Sequence, residues 1–274
     1  MTVAPRDRWL TIVRAGFMKD AGGRYGSAMR ARGGIPKGRP RKPPPRISRV
    51  RDSPTSTERV VRRGWNRLSE VYRPPGTKSD CFRHTDGQYR EWLRPIVKTL
   101  RPGSPVLDLG CGTGAPASQE LAKRFEVTGV DLSDVMIRRA REGVPEGRFI
   151  RADMTKVRFP RESFGAVVSL YSIIHVPLAK QKPLLARIHS WLAPRGLFLA
   201  ILGHHAWEGT ERGWLGVDAP MFWSHADAAT YRRWLRELGF VVVRQEFIPE
   251  GDGGHELFLA RKRAGHRSPL KRAT

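Results

Sequence analysis

One stretch of the chain indicates its fold, Val106-Leu107-Asp108-Leu109-Gly110-Cys111-Gly112-Thr113-Gly114, which is a short apolar strand pattern followed at once by a glycine-rich loop. Glycines directly after a first strand remove side chains that would keep a ligand away from the backbone. Asp131 ends the next apolar run and Asp153 follows the third. A carboxylate at the distance of Asp131 from the loop can accept hydrogen bonds from ribose hydroxyls. The stretch therefore indicates a site for an adenosine-containing ligand.

Apolar strand patterns alternate with helical patterns outward from this stretch. The predicted strands lie at 105–109, 126–130, 148–151, 166–170, 197–202, 240–247 and 256–261. Alternation of this kind implies a parallel sheet with helices on both faces. Only seven residues, 249–255, join the last two strands, which is too few for a crossover helix, so these strands must be antiparallel. The predicted fold class is α/β, with a seven-stranded, mostly parallel sheet and one antiparallel strand from a C-terminal hairpin.

The net charge of +24 is concentrated at the two ends of the 274-residue chain. The first 60 residues hold 15 Lys and Arg against 4 Asp and Glu, and the last 14 hold 6 basic residues and no acidic one. We predict a disordered basic extension over 1–55, one domain over 56–262 and a basic tail over 263–274. A solvated tail, an over-extended reading frame, a nucleic-acid-binding arm and an Arg-rich transit peptide are all compatible with the extension.

Composition excludes several other classes of protein. Two cysteines cannot make a disulfide framework, and no Cys/His cluster has zinc-site spacing, so we expect no metal. The longest strongly apolar run is too short to span a bilayer, and no apolar segment of the secretory type follows the N-terminus. We therefore expect a cytoplasmic protein without a membrane segment.

The glycine loop also fits the dinucleotide pattern G-x-G-x-x-G/A, so an NAD enzyme is an alternative. Three features argue against it. Asp108 is an acid inside the apolar first strand, Asp153 adds a carboxylate where adenine would lie, and the antiparallel C-terminal hairpin is not part of the usual dehydrogenase sheet.

The set of motifs, in this order and spacing over about 60–262, resembles the class I S-adenosylmethionine-dependent methyltransferases, with a bacterial small-molecule subgroup as the nearest type. The matching residues are 107–114, Gly129-Val130-Asp131-Leu132-Ser133, Ala152-Asp153-Met154 and Leu192-Ala193-Pro194-Arg195-Gly196. The resemblance implies a Rossmann-like sheet and S-adenosylmethionine as cofactor.

The same resemblance implies a role for each cofactor-binding position. Asp108 and the loop that contains Gly110, Cys111, Gly112 and Gly114 would bind the methionine portion. Asp131 would bind the ribose, Leu132 or Met154 would stack on adenine, and Asp153 would contact its amino group. Tyr72, on a helix predicted to start at Ser56 or Thr57, would close over the cofactor.

Methyl transfer to oxygen or nitrogen needs a close nucleophile and a proton acceptor. His255 is the first candidate, because the C-terminal hairpin should place it, with Glu250 and Asp252, on the cofactor side of the sheet. His175 and His225 are the next candidates, although helix-capping and structural roles fit them too.

A small-molecule acceptor is the favoured partner. Trp207, Trp214, Met221, Phe222 and Trp223 form an aromatic-rich insert that could line an apolar pocket or simply pack over the sheet. The alternatives are a nucleic-acid methyltransferase assisted by the basic ends, and a non-catalytic nucleotide-binding protein. Against the first, Ser169-Leu170-Tyr171-Ser172 lacks the Asn/Asp-Pro-Pro-aromatic motif of amino-methylating enzymes that act on nucleic-acid bases.

Overall fold

The computed structural model describes residues 56–81 and 83–265, together with the backbone of Ser48–Arg49. The predicted extension over 1–55 lies outside the described residues except for that dipeptide, and so does the basic tail from residue 266 onward. Both segments stay predictions. Among the described helices, none is long and apolar enough to cross a membrane.

Seven strands form the main sheet, as the alternating pattern predicts. In chain order the strands of the described chain are β1 (Ser48–Arg49), β2 (Pro105–Leu109), β3 (Glu126–Asp131), β4 (Arg148–Arg151), β5 (Val157–Arg158), β6 (Phe164–Leu170), β7 (Leu192–Gly203), β8 (Trp207–Arg212), β9 (Pro220–His225), β10 (Phe240–Glu250) and β11 (Gly253–Lys262). The main sheet has the order β10-β11-β7-β6-β2-β3-β4. Within it, β11 runs antiparallel to both of its neighbours, and the other printed pairings are parallel. The predicted fold class is confirmed.

Helices cover both faces of this sheet. They are α1 (Ser56–Tyr72), α2 (Asp86–Thr99), α3 (Ala117–Ala122), α4 (Asp134–Gly143), α5 (Leu178–Trp191) and α6 (Ala228–Glu237). Because successive strand residues point to opposite faces, Val106 joins one buried cluster with α2, whereas Leu107 joins the other with α5 and α6. This two-sided burial explains why the central strands are mostly apolar and do not alternate regularly between apolar and polar residues.

The C-terminal hairpin has a shorter turn than the sequence predicts. The seven residues 249–255 were expected to form a loop, but β10 and β11 stay paired as far as Glu250 and Gly253. Gly251, at the first turn position, has a φ of 59°, a conformation that suits tight hairpin turns and costs glycine little. His255 therefore lies within β11, opposite Ile248, where strand pairing holds it.

The aromatic-rich insert is an antiparallel hairpin of β8 and β9 that packs against α1. The ring of Trp214 lies 5.8 Å from that of Trp65 on the helix. A Cβ on Gly64 would lie 2.9 Å from the carbonyl oxygen of Pro220 in β9, a backbone atom, so this close approach favours a glycine. The insert thus packs against α1 and fixes the position of this helix, which carries Tyr72.

Candidate functional site

The glycine loop begins at the carboxyl end of β2. The amide of Gly110 donates to the carbonyl of Val130 over 2.7 Å, which ties the loop to the neighbouring strand. Gly110, Gly112 and Gly114 have φ values of 74°, 53° and 79°, in the region that favours glycine. Within the described part of the chain, a Cβ on Gly112 would meet no atom within 4 Å, so the backbone there borders open space that a ligand can enter.

Asp131 bridges the loop and the start of α4. Its Oδ2 accepts a hydrogen bond from the amide of Gly112 over 2.9 Å, and its Oδ1 accepts one from the amide of Ser133 over 2.8 Å. Burial raises the pKa of Asp131 to about 6, although these hydrogen bonds act in the opposite direction. The carboxylate is placed beside the loop where the sequence predicts a ribose acceptor.

Asp108 is a second buried carboxylate at the same edge of the sheet. The hydroxyl of Ser118 donates to its Oδ2 over 2.6 Å. Burial raises the pKa of Asp108 to about 7, and the negative charge of Asp131 adds to the increase. The described structure thus supports these two acids with a hydroxyl and backbone amides, and a cationic ligand group would stabilise them further.

Cys111 takes part in the loop through its backbone. Its thiol is buried in a small cluster with Ile137 and Phe149, and burial raises the pKa of the thiol well above its usual value. A Cβ on Gly129 would lie 2.9 Å from Sγ of Cys111. The side chain therefore packs in the core, and only the backbone of Cys111 faces the predicted site.

Three further predicted cofactor residues, Leu132, Asp153 and Met154, line one pocket. Both oxygens of Asp153 accept hydrogen bonds from Thr155, one from the amide over 2.7 Å and one from the hydroxyl over 2.9 Å. This arrangement fixes the carboxylate at the pocket wall. Val61 and Glu58 of α1 line the opposite part of the pocket, so the N-terminal helix covers it.

Tyr72 lies at the end of α1 and does not line that pocket. Its ring packs edge-on against Trp65 at 5.0 Å, and it lies 6.3 Å from the ring of Trp214. Burial raises the pKa of Tyr72 well above its usual value, and nearby Tyr89 and Asp80 contribute. The side chain thus lies close to Tyr89 and Asp80, and its ring belongs to the aromatic contacts between α1 and the insert.

The three predicted histidines come together although they lie far apart in sequence. The rings of His225 and His255 are 6.0 Å apart. Burial lowers the pKa of His175 to about 4, and the charges of His255 and His225 lower it further. His175 is consequently neutral at pH 7.

The hydrogen bonds of His175 and His225 indicate which nitrogen of each ring carries the proton. Nδ1 of His175 lies 2.8 Å from the carbonyl of Phe222 and donates to it, while Nε2 is buried without a hydrogen-bond partner. His175 also lines the pocket with Ser172. Nδ1 of His225 lies 2.6 Å from the carbonyl of His205. Among the described residues, Nε2 of His175 is thus a buried acceptor that no donor satisfies, which is uncommon in folded proteins.

Sequence reasoning gave no role to Tyr171 and Ser172. The Ser172 hydroxyl donates to the carbonyl of Leu109 over 2.6 Å, and a Cβ on Gly110 would lie only 2.1 Å from Cβ of Ser172. Tyr171 has a φ of 55°, a backbone conformation that non-glycine residues seldom adopt. Their position directly after the predicted strand that corresponds to β6 was the sequence feature that could have indicated a role for them.

The described residues contain no group of three or more His, Cys, Asp or Glu side chains that could hold a metal ion. Residues 106–196 match the family model described as a methyltransferase domain. That match begins in β2 and includes the glycine loop, Asp131, Asp153 and His175.

Two curated proteins illustrate the similarity in sequence. The sterol 24-C-methyltransferase erg-4 of Neurospora crassa is 34% identical over 157 residues, which are 54% of this chain and 38% of that protein. Phosphoethanolamine N-methyltransferase 3 of Arabidopsis thaliana is 38% identical over 107 residues, which are 36% of this chain and 21% of that protein. The matched segments cover 38% and 21% of these two relatives, so the chain spans well under half of their length.

Solved structures share the fold at lower identity. Magnesium protoporphyrin IX methyltransferase from Synechocystis PCC 6803, solved with bound S-adenosylhomocysteine, superposes with a TM-score of 0.59 at 18% identity. The match covers 76% of this chain and 100% of that one. The likeness supports the architecture of the sheet and its covering helices.

Proposed function

We propose that the protein transfers a methyl group to an oxygen or nitrogen of a small-molecule acceptor. The proposal starts from the family match and the fold, by which the chain belongs to the class I S-adenosylmethionine-dependent methyltransferases. The observation that carries the proposal is the hydrogen bond between the Gly112 amide and Asp131, which sets a half-buried carboxylate against an open glycine loop. A carboxylate in this position suits the ribose of an adenosine-containing cofactor.

The residues present fit S-adenosylmethionine, whose bound form would carry an activated methyl group on a positively charged sulfur. Asp131 would accept from the ribose hydroxyls, and Leu132 and Met154 would stack on adenine with Asp153 at its amino group. Asp108 and the loop of Gly110, Cys111, Gly112 and Gly114 would hold the cationic methionine portion, while Tyr72 would close the site from α1. The raised pKa values of Asp108 and Asp131 support a positively charged ligand, because a nearby cation favours the ionised carboxylates.

The histidine cluster favours oxygen or nitrogen as the acceptor atom. Transfer to these atoms releases a proton, and His255, His175 or His225 would receive it. The relatives' names include a sterol 24-C-methyltransferase and a phosphoethanolamine N-methyltransferase. These names support a small-molecule acceptor, and the three imidazoles favour the type of acceptor that needs a base.

We also propose that the protein acts in the cytoplasm. Cys81 and Cys111 form no disulfide in the described structure, in agreement with a reducing compartment. Because both ends of the chain are basic, nucleic acid is the alternative partner. The label-transfer assay described next would detect methylation of nucleic acid.

Binding and label transfer test the proposal on the full chain. S-adenosylhomocysteine should raise the melting temperature, whereas NAD should not, and the reverse result would contradict the cofactor assignment. The protein is then incubated with methyl-labelled S-adenosylmethionine and fractionated cell extract. We expect label in the small-molecule fraction; label in nucleic acid or protein instead would overturn the acceptor class.

A further inference from the structure

A buried carboxylate joins a phenol to an imidazole at the carboxyl edge of the sheet. Glu250 accepts a hydrogen bond from the Tyr171 hydroxyl over 2.6 Å through Oε1, and its Oε2 lies 2.9 Å from Nδ1 of His255. The Glu250 side chain is 2% exposed and that of His255 is 17% exposed. The carboxylate is thus shielded from water, while the imidazole keeps an accessible edge.

The hydrogen bond at Nδ1 of His255 determines whether Nε2 of the same ring carries a proton or a lone pair. A carboxylate can only accept, so Nδ1 of His255 must carry the proton and Nε2 of the neutral ring must carry the lone pair. The same arrangement stabilises the imidazolium after protonation, because the positive charge would face Glu250 directly. His255 is thereby prepared to accept a proton at Nε2.

The network adjoins the proposed cofactor site. Tyr171 directly precedes Ser172, whose side chain packs against Gly110 of the loop. The Tyr171 ring meets the His255 ring edge-on at 5.3 Å, and His255 pairs with Gly203 at the end of β7. Tyr171 has a positive φ, a conformation that costs a non-glycine residue energy, and this conformation orients the Tyr171 side chain within the network.

We propose that Glu250 and Tyr171 are positioning residues that hold His255 as the proton acceptor for methyl transfer. The inference rests on the proposed function and deepens it, since it selects one of the three histidines. In the transfer step the acceptor oxygen or nitrogen gives its proton to Nε2 of His255 and forms a bond to the methyl carbon. The bond from that carbon to sulfur breaks, and its electron pair stays on sulfur.

Several titratable groups lie close to His255. They are Glu250 on β10, Tyr171 after β6, His225 on β9 and, through its charge, His175. Both neighbouring imidazoles oppose a positive charge on His255, and the Glu250 carboxylate favours it. His175 remains neutral at pH 7 and His225 has a pKa lowered mainly by burial, so the carboxylate is the group whose removal should matter most.

The test is an NMR titration of the histidine side chains in the full-length, nitrogen-labelled protein. In the wild type we expect the tautomer of His255 with the proton on Nδ1. Glu250→Gln keeps the size of the side chain and one acceptor oxygen for Nδ1 of His255 but removes the negative charge, so the titration midpoint of His255 should move to lower pH by about one unit. Tyr171→Phe removes a donor to the carboxylate and should move the midpoint the other way.

The chain contains a matched control, because Glu256 pairs with His204 at 2.8 Å and is similarly buried. Glu256→Gln should shift the titration of His204 and leave that of His255 in place. In the label-transfer assay, Glu250→Gln should lower the rate at pH 7 by about tenfold or more, with unchanged affinity for S-adenosylhomocysteine.

The possible outcomes distinguish failure of the proposed function from failure of the positioning role of Glu250 and Tyr171. A wild-type protein that does not bind S-adenosylhomocysteine in calorimetry would overturn the proposed function, whatever the titrations show. Normal binding with the His255 proton on Nε2, or with an unmoved midpoint in both Glu250→Gln and Tyr171→Phe, would overturn the positioning role alone.

Discussion

The backbone amide of Gly112 donates a hydrogen bond to the carboxylate of Asp131 over 2.9 Å, which links the loop after one strand to the acid at the end of the next. The pairing of β2 with β3 makes this bond possible, since Asp108 and Leu109 lie beside Gly129 and Val130. Because two parallel strands end at the same edge, residues far apart in sequence form one binding surface.

Substitution of Asp131 tests the ribose-binding role. Asp131→Asn keeps an oxygen for the amide of Gly112 but loses the negative charge that strengthens hydrogen bonds from the ligand. We expect the dissociation constant for S-adenosylhomocysteine, measured by calorimetry, to rise about 10-fold or more. Asp134→Asn, three positions along at the exposed start of α4, is the control and should change this constant little. Equal effects of the two substitutions would remove Asp131 from the site.

Cofactor affinity should depend on pH. With pKa values of about 7 for Asp108 and about 6 for Asp131, both carboxyls gain protons as the pH falls from 7.5 to 5.5. Protonation removes the charges that would attract the ammonium group of the ligand's amino-acid portion and accept hydrogen bonds from its ribose, so we expect affinity for S-adenosylhomocysteine to fall about tenfold over this interval. Calorimetry at both pH values measures the effect. A flat profile in the wild type would contradict it, and Asp108→Asn should give a shallower profile.

The ligand-free protein should show the opposite trend in stability. Burial raises the pKa of folded Asp108 from 3.8 to about 7, so the folded state holds a proton that the unfolded state has lost between about pH 4 and pH 7. This contribution to the free energy of unfolding is therefore lost as the pH rises through that window. Asp108→Asn cannot ionise, and its melting temperature relative to wild type should be higher at pH 8 than at pH 5. An equal difference at both pH values would show that the carboxyl does not titrate in this window.

The glycine loop offers a substitution with a built-in control. Gly112 and Gly76 both have positive φ, at 53° and 80°, and a Cβ on either would meet no protein atom within 4 Å. An alanine at either position should cost about 1 kcal/mol of stability for its backbone conformation. Gly112→Ala should additionally weaken binding of S-adenosylhomocysteine, because its methyl group would occupy the open space beside Asp131. Equal binding by the two variants, measured by calorimetry, would place the ligand elsewhere.

Gly110→Ala should damage the fold as well as the site. Its Cβ would lie 2.1 Å from Cβ of Ser172, a contact that requires the segment after β6 to move. We expect a loss of stability of about 2–3 kcal/mol in chemical denaturation, well above that of Gly76→Ala, since overpacking adds to the cost of the positive φ. A loss no larger than the control would mean that this segment shifts freely.

Local sequence was enough to predict the strands, the glycine loop and the placement of Asp131. Apolar runs bury on both faces, glycines permit positive φ, and strand spacing places acids at the edge of the sheet; each of these depends on neighbouring residues. The prediction of a seven-residue loop at 249–255 was wrong in extent, because strand pairing continues to a two-residue turn. That pairing adds long-range hydrogen bonds, which a local pattern of glycines and acids does not reveal.

By itself, the sequence determined the α/β sheet, its antiparallel last strand and the loop that faces Asp131, since all three follow from local spacing and glycine geometry. Only the tertiary structure decided that Cys111 points into the core and that His175, His225 and His255 converge. It also decided that Glu250 lies between Tyr171 and His255, although Tyr171 and Glu250 are 79 positions apart. The physical reason is register: which side chains meet depends on how distant strands pair and on where the hairpin turns, and these are properties of the folded sheet as a whole.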